Sequence, residues 1–429
     1  MSEKHGLVLG GGGSKGSYEV GVCMALKELG YSFDIVTGTS IGALIGALVV
    51  QDDIEPLVRW VSNLRQSSLS ENLFMYPNQY ATKEFRRHDF NHFLELFMKN
   101  GPDISNLKND YLKMFDFEKF KNSPVEFGCL AYDLNKNELT AFDKREMTKE
   151  DHVNKLFAST AYFPAYEFVK VGQDYYADGG YVQTLPFELC SSMGAHDMIV
   201  VDLEEIDKEA QPIPMPHTRL RPLMKLHSAL DFEAADLVPQ MREGYLETLK
   251  YLNKAPGYLY TFFPEDWKTM QRVEKVCMTM LMREGQMNLL TGYNEAMKMV
   301  YQFILHYEPL PLENEFSQEY LAGRLIEVLG LICRIPIERQ YHYKDFLRLI
   351  LAHFNHFEED PNKADRTVRY DQMELKGVQD YIVFFHSALE YFHGKLPEGF
   401  DILKKNFAPC YYIAQAWRVM ESAKVLLEL

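Results

Sequence analysis

Apolar residues in the first half of the chain fall into short runs separated by longer stretches of helical period. The short, partly β-branched runs that predict buried strands are at 6–9, 34–37, 125–130 and 198–201. Stretches 17–29 and 41–50 are apolar at helical spacing and predict helices between those strands. This alternation, which continues to about Asp202, predicts a doubly wound or three-layer α/β/α core with a mainly parallel central sheet.

The pattern changes in two places outside that alternation. Segment 51–121 is helical in pattern and aromatic, so we expect either a cap over a site or a further part of the core. Its apolar residues on one predicted helix face are Phe93, Leu94, Phe97 and Met98. Segment 204–222 is charged and proline-rich, which predicts an exposed loop or flap.

A long helical region follows. Segment 229–253 predicts a helix, and 257–263 predicts a late strand. From 267 to 429 the pattern predicts helices interrupted by prolines. We therefore predict an α/β domain over 1–266, with the insert at about 51–121, and a mostly α-helical domain over 267–429 whose role the sequence leaves open.

Residues 38–42, Gly-Thr-Ser-Ile-Gly, stand between a predicted strand and a predicted helix. A serine on so tight a turn needs small neighbours, and Gly38 and Gly42 supply them. The amino end of the following helix directs N–H groups and positive dipole toward Ser40. In this context the pattern predicts that Ser40 is a nucleophile.

A glycine-rich loop, residues 10–16, joins the first predicted strand to the first helix. Such a loop is costly to order, so its bare N–H groups are expected to face an anion. A triphosphate is excluded because Lys15 is followed by Gly16 and not by Ser or Thr. A dinucleotide stays open through Asp34, although that residue begins the second strand whereas a ribose-binding acid ends it. An acyl-transfer oxyanion fits best, because its partner Ser40 is already in place.

Asp178 precedes Gly179 and Gly180 after a predicted strand. Asp-Gly alone is a common turn signal. The functional interpretation is that the Asp178 carboxylate lies beside Ser40 and accepts its proton, while the two glycines allow the sharp bend.

The three motifs together, in this order and at these intervals, resemble the patatin-like phospholipases. Ala158-Ser159 with Phe163-Pro164 and the segment from Asp178 to Pro186 resemble further blocks of that family. One departure is that Gln183 and Thr184 stand where the family commonly has asparagine. The resemblance covers about residues 7–202 and says little about the chain beyond 264.

The resemblance implies a patatin-like fold and a Ser–Asp dyad, with Ser40 as nucleophile and Asp178 as base. It also implies that the N–H groups of Gly11, Gly12 and Gly13 form an oxyanion hole. Lys15 follows the family pattern of a basic residue, with either a structural role or a contact to a substrate phosphate. No cofactor is implied.

Histidines and metals are the alternatives to this chemistry. His5, His152 and His196 lie in ordinary contexts, and a triad built on His88 or His196 stays open. The six cysteines form no C-x-x-C, and there is no H-E-x-x-H, so no metal is expected. The acid-and-histidine groupings interpreted as surface or helix-end residues are His88 with His92, and His353 and His356 with Glu358, Glu359 and Asp360.

A net charge of −16 argues against nucleic-acid partners and against bulk attraction to anionic lipid. Any membrane contact is therefore expected to be transient, local and apolar. No apolar run is long enough to span a bilayer, and the chain enters a strand too early for a signal peptide. With scattered cysteines this predicts a cytoplasmic protein.

The sequence thus predicts a serine lipid acyl hydrolase of phospholipase A or lysophospholipase type, acting through an acyl-serine. The alternatives are a catalytically inactive lipid-binding or scaffold protein, and a transacylase or short-chain esterase on the same fold. Head group, acyl position and oligomeric state are not predicted.

Overall fold

The computed structural model describes residues 3–64, 105–163, 166–285, 295–312, 314–320, 323–358 and 375–427. The chain divides into two compact units, Met1–Thr248 and Leu249–Leu429. The predicted residues Phe93, Leu94, Phe97 and Met98 lie outside the described residues. The predicted domain ranges of 1–266 and 267–429 stay a prediction.

An eight-stranded mixed sheet forms the centre of the first unit. Its strands are β1 His5–Leu9, β2 Ile35–Thr39, β3 Glu126–Asp133, β4 Glu138–Asp143, β5 Val169–Val171, β6 Asp174–Asp178, β7 Asp197–Val201 and β8 His217–Leu220. The order is β5-β6-β3-β2-β1-β7-β8, and β4 pairs with β3. The pairs within β3-β2-β1-β7-β8 are all parallel, whereas β3 pairs with β4 and β6 in antiparallel fashion, as β5 does with β6. The prediction of a mainly parallel sheet in an α/β core is confirmed.

Helices connect these strands. Their bounds are α1 Gly16–Glu28, α2 Ile41–Val50, α3 Glu55–Asn63, α4 Ser105–Met114, α5 Phe117–Asn122, α6 His152–Ala158, α7 Phe187–Ser192 and α8 Ala234–Tyr251. β2 is buried throughout, and β1 and β7 are buried after their first residue, as is usual for central strands of a parallel sheet covered on both faces. Ser40 follows β2, the glycine loop follows β1, and Asp178 ends β6, so all three candidate elements lie at strand ends.

Strand β8 lies in the segment 204–222 that was predicted to be a loop, so that prediction was wrong for four of its residues. β8 pairs with β7 in parallel register, Val201 opposite Leu220. Only Leu220 of this strand is fully buried, and the three polar residues before it give no apolar pattern that would predict a strand.

The second unit is helical, as predicted. Its helices are α9 Trp267–Arg283, α10 Glu295–Leu305, α11 Glu315–Glu319, α12 Gly323–Ile332, α13 Tyr343–Glu358, α14 Val378–Tyr391, α15 Asp401–Asn406 and α16 Ala408–Leu427. A two-stranded parallel sheet pairs β9 Thr261–Phe262 with β10 Gln340–Tyr341. Trp417 of α16 is fully buried and stacks on Phe354 and His386.

A buried carboxylate organises the start of this unit. Glu327 of α12 accepts hydrogen bonds from the N–H groups of Tyr258, Leu259 and Tyr260, at 2.9, 2.6 and 2.9 Å. These N–H groups are therefore not part of a strand ladder. The late strand predicted over 257–263 is accordingly only two residues long.

None of the described helices is both long enough and apolar enough to cross a membrane.

Candidate active site

Ser40 occupies a strained turn between β2 and α2. Its backbone has φ 56° and ψ −126°, and a positive φ is rare for a residue other than glycine. A Cβ atom at Gly38 would overlap the backbone of Gly42, so the turn closes only with glycine there. Ser40 is thereby held at the amino end of α2, on the wall of a cavity.

The Ser40 hydroxyl donates a hydrogen bond to the carboxylate of Asp178. Oγ lies 2.5 Å from Oδ2, within the short range of charge-assisted O–H···O⁻ bonds. The other oxygen of Asp178 accepts from the N–H of Gly180 at 2.7 Å. The carboxyl is 2% exposed. This burial outweighs both hydrogen bonds and raises the pKa of Asp178 from 3.8 to about 6.

The residues after α6 position both Ser40 and Asp178. The N–H of Ser40 donates to Oγ of Ser159 at 2.9 Å, and that hydroxyl donates to the carbonyl of Leu130 at 2.6 Å. The N–H of Asp178 donates to the carbonyl of Ala161 at 3.0 Å. Sequence reasoning identified Ser159 only through the family resemblance and missed this contact, because nothing in the local pattern shows what a helix-end serine bonds to.

The N–H groups of the glycine loop differ in what they contact. The N–H of Gly11 donates to the carbonyl of Thr184 at 2.9 Å, and its part in an oxyanion hole stays a prediction. The hydrogen bonds described for this loop include none donated by the N–H of Gly12 or of Gly13. Gly13 has φ +59°, and a Cβ atom there would overlap the carbonyl of Ala229, so only glycine fits.

The Thr184 contact also bears on the departure from the family pattern. Thr184 supplies a backbone carbonyl, which does not depend on side-chain identity, and Gln183 bonds through Nε2 to the carbonyl of Leu185 at 3.0 Å. The segment after Asp178 is thereby tied to the glycine loop despite the missing asparagine.

The remaining motif residues pack around the site. Nζ of Lys15 lies 3.6 Å from a carboxylate oxygen of Glu205, a contact that fits the structural role of this lysine. A Cβ atom at Gly16 would press on Ile41, the first residue of α2. A Cβ atom at Gly179 would overlap the carbonyl of Leu130, so the bend after Asp178 depends on close backbone approach.

Two cavities meet at Ser40. The wide cavity has a volume of about 1100 Å³ and is bordered by the glycine loop, Asp178 and the segments 203–208 and 222–230. The apolar cleft has about 60 Å³ and lies among α1, α2, α3 and α8. Gly13, Ser40 and Tyr166 line both.

The structure describes three of the histidines considered from the sequence, and these three lie away from Ser40. His5 pairs with Asp197 at 2.5 Å, and both stand at the amino ends of parallel strands, opposite the edge that carries Ser40. His196 lies next to them, 3.7 Å from Glu3. His152 is buried, with Nδ1 3.0 Å from the carbonyl of Thr148. His88 and His92 lie outside the described residues.

His227 is the histidine that sequence reasoning missed. It is the one described histidine lining the wide cavity, and its Nε2 lies 3.7 Å from a carboxylate oxygen of Asp236. His227, Asp231 and Asp236 have ligand atoms within 4.8 Å of one another, so they could share a cation. The expectation that no metal is needed therefore stays a prediction. In the predicted grouping of His353 and His356 with acidic residues, Glu359 and Asp360 lie outside the described residues.

Asp34 gives no support to a dinucleotide. Its carboxylate accepts a hydrogen bond from the N–H of His5 at 2.9 Å, at the amino edge of the sheet. A ribose-binding acid would stand at the opposite edge, where the glycine loop lies.

A serine on a strained strand-to-helix turn, with a buried carboxylate against its hydroxyl and glycine N–H groups beside it, is an arrangement suited to acyl transfer. Residues 7–190 match the family model of patatin-like phospholipases, and this region of the chain belongs to that family. The family predicted from the motifs is confirmed.

Relatives carry the same region within much longer proteins. Patatin-like phospholipase domain-containing protein 7 of Rattus norvegicus is 30% identical over an alignment of 210 residues, which covers 47% of this chain and 14% of that protein. Lysophospholipase NTE1 of Candida glabrata is 25% identical over an alignment of 328 residues, which covers 67% of this chain and 17% of that protein. The chain thus spans about a sixth or less of these relatives.

Among solved structures, VipD from Legionella pneumophila matches with a TM-score of 0.39 and 13% identity, covering 98% of this chain and 92% of that one.

Proposed function

We propose that this protein is a serine acyl hydrolase that cleaves carboxylic esters of lipids, of phospholipase A or lysophospholipase type. The observation that carries the proposal is the 2.5 Å contact between Oγ of Ser40, on its strained turn, and the buried carboxylate of Asp178. The names of the relatives, phospholipase domain proteins and lysophospholipases, support a lipid ester as substrate.

In the first half of the reaction, the carboxylate of Asp178 accepts the proton of Ser40 while Oγ attacks the ester carbonyl. The carbonyl oxygen becomes an oxyanion, which the N–H groups of Gly12 and Gly13 stabilise. The bond to the alcohol oxygen then breaks, and the alcohol leaves with the proton from Asp178. Ser40 is left acylated.

In the second half, Asp178 accepts a proton from water, whose oxygen attacks the acyl-serine. The bond between the acyl carbon and Oγ breaks, Oγ takes the proton, and a carboxylic acid leaves. A pKa of about 6 suits this task, because the carboxylate is ionised at neutral pH and still basic enough to take a proton. No step uses His227.

A cytoplasmic location is part of the proposal. It is supported by the six free cysteines, since unpaired thiols are the usual state in a reducing compartment.

The test is hydrolysis of p-nitrophenyl butyrate and of lysophosphatidylcholine micelles by the wild type, Ser40→Ala and Asp178→Asn. Ser192→Ala and Asp52→Asn are matched controls, because both side chains are exposed and neither residue lines a cavity at Ser40. We expect turnover by the wild type and both controls, and a loss of at least about a hundredfold in each dyad variant.

Wild-type protein that hydrolyses neither substrate would favour the lipid-binding alternative. Transfer of the acyl group to added glycerol in place of water would favour the transacylase alternative.

A further inference from the structure

Exposed aromatic side chains lie beside the wide cavity. Tyr162 lines that cavity and stacks on Tyr181, with ring centroids 5.2 Å apart and ring planes inclined by 18°. Phe163 stacks on Phe168 at 4.8 Å and 21°. The two pairs are joined, because the hydroxyl of Tyr181 donates a hydrogen bond to the carbonyl of Phe163. We call these four residues, together with Val182, the aromatic rim.

Most of the aromatic rim faces solvent. Tyr162, Phe168, Tyr181 and Val182 are each at least 38% exposed. Apolar surface in water is unfavourable, and a contiguous exposed patch of it commonly marks a binding surface. Because the rings are already stacked on one another, this surface is formed before any partner arrives.

The aromatic rim shares its backbone with the segments that hold Asp178. The N–H of Asp178 donates to the carbonyl of Ala161, the residue directly before Tyr162. On the other side, a short helical turn begins directly after Asp178 and ends at Tyr181, and the N–H of Val182 donates to the carbonyl of Gly179 at 3.1 Å. The aromatic rim therefore has a fixed position relative to Asp178 and Ser40.

The chemistry of the aromatic rim favours a lipid surface as its partner. A tyrosine joins an apolar ring to a polar hydroxyl, which suits the boundary between lipid head groups and acyl chains. The aromatic rim also adjoins the cavity that contains Ser40, to which a lipid ester has to come.

Charge indicates which kind of lipid surface this is. The exposed side chains of the aromatic rim are uncharged, and the chain carries a net charge of −16, so attraction to anionic lipid cannot supply the binding. We propose that the aromatic rim is the surface through which the protein binds a zwitterionic lipid aggregate, an inference that rests on the proposed function.

The first experiment measures binding without catalysis, by flotation with vesicles of diether phosphatidylcholine, which has no carboxylic ester. The double variant Phe168→Ser, Val182→Ser should partition to the vesicles at least about tenfold more weakly than the wild type, because both side chains lose apolar area to bury. Tyr31→Ser is the control and should bind like the wild type. This tyrosine is also exposed, but it precedes β2 and so lies at the edge of the sheet opposite Ser40.

Lipid composition and salt separate apolar from electrostatic binding. Adding phosphatidylserine to the vesicles should not strengthen the binding of the wild type, and raising the salt concentration should not weaken it. Binding that requires phosphatidylserine and is lost at high salt would contradict the proposal.

A gain of binding tests the same surface without removing apolar area. Val182→Trp places an interfacial side chain at an exposed position of the aromatic rim and should bind the vesicles about fivefold more tightly. Vesicles of brominated phosphatidylcholine should quench its fluorescence more strongly than that of the wild type, which has three tryptophans. Equal quenching of the two proteins would place residue 182 in water and contradict the proposal.

Turnover distinguishes a failure of this inference from a failure of the proposed function. Because p-nitrophenyl butyrate is a dissolved monomer, the double variant should hydrolyse it within about twofold of the wild type, whereas its turnover of lysophosphatidylcholine micelles should fall about tenfold. Undiminished vesicle binding by the double variant, with Ser40-dependent hydrolysis intact, would overturn the inference and leave the proposed function standing. Vesicle binding that needs the aromatic rim, without any Ser40-dependent hydrolysis, would overturn the proposed function instead. A dimer that dissociates in the double variant, without vesicle binding by the wild type, would overturn the lipid assignment and give the aromatic rim to a second copy of the chain.

Discussion

Asp178→Asn should abolish activity and yet stabilise the protein. The substitution is nearly isosteric and keeps both local contacts, because an amide oxygen can still accept from Gly180 and the amide nitrogen can donate to Oγ of Ser40. What it removes is a charge that is 2% exposed and has no cationic partner among the contacts described.

The magnitude follows from the pKa of Asp178, which burial raises from 3.8 to about 6. The folded state favours the protonated acid. The stability that Asp178 contributes in this form is fully present below pH 3.8. The free energy of unfolding then falls as the pH rises, and the loss is complete above about pH 6. The difference between a pKa of 3.8 and one of about 6 lowers the free energy of unfolding at high pH by ~3 kcal/mol. About half of that loss falls between pH 5 and pH 8.

Urea unfolding of wild type and Asp178→Asn at several pH values from 5 to 8 measures the effect. The free energy of unfolding of the variant should exceed that of the wild type by about 1–2 kcal/mol at pH 5 and ~3 kcal/mol at pH 8. The matched control is Asp207→Asn, whose exposed carboxylate should give no pH-dependent difference beyond about 0.5 kcal/mol.

The opposite result would refute the reasoning. If Asp178→Asn were less stable than the wild type by an amount that increases with pH, then the ionised carboxylate would be a stabilising group. The burial argument for its raised pKa, and with it the suitability of Asp178 as a base near neutral pH, would fail.

Four further predictions concern the site and the second unit. The kcat/KM for ester hydrolysis should rise with pH and reach half its maximum near pH 6, because Asp178 accepts a proton only when ionised. His227→Ala should retain activity within about threefold, since the Ser40 hydroxyl bonds to Asp178 and not to an imidazole. Ser159→Ala should lower kcat about tenfold with KM unchanged, because the N–H of Ser40 loses its acceptor, and Ser159→Thr should restore most of it. Glu327→Gln should lower the free energy of unfolding of the second unit by about 3 kcal/mol, because a carboxamide cannot accept from three N–H groups as a carboxylate does.

Each of these has a clear contrary outcome. Half-maximal activity near pH 4 would contradict the raised pKa of Asp178, and an inactive, folded His227→Ala would make His227 the candidate base. A Ser159→Ala variant with unchanged kcat would remove its positioning role. Glu265→Gln, at an exposed position in the second unit, is the control for Glu327→Gln, and equal stability of the two variants would contradict the role of Glu327.

The sequence was informative where local chemistry and local structure coincide. Ser40 needs a tight turn, glycines beside it and a helix after it, and all of these lie within a few residues. Helix α2 accordingly has the predicted bounds, and Asp178 was found through its own glycines. The alternation of apolar strands and helices was sufficient to predict the class of the core.

Contacts between distant segments could not be predicted in this way. The carbonyl of Thr184 accepts a hydrogen bond from the N–H of Gly11, and no residue pattern indicates a backbone contact across so many residues. Glu327 likewise looks like an ordinary residue of an apolar helix. Because the Glu327 carboxylate accepts hydrogen bonds from the N–H groups of residues 258–260, the predicted late strand is short. His227 reaches the wide cavity only through the fold of a loop.

The most direct test of the central claim is to map the residue that a short alkyl fluorophosphonate modifies in the wild-type protein, by mass spectrometry of its peptides. We predict a single adduct on Ser40, absent in Ser40→Ala and formed at least about a hundred times more slowly in Asp178→Asn. An adduct on another serine, or undiminished labelling of Asp178→Asn, would contradict the assignment of Ser40 and Asp178 as nucleophile and base.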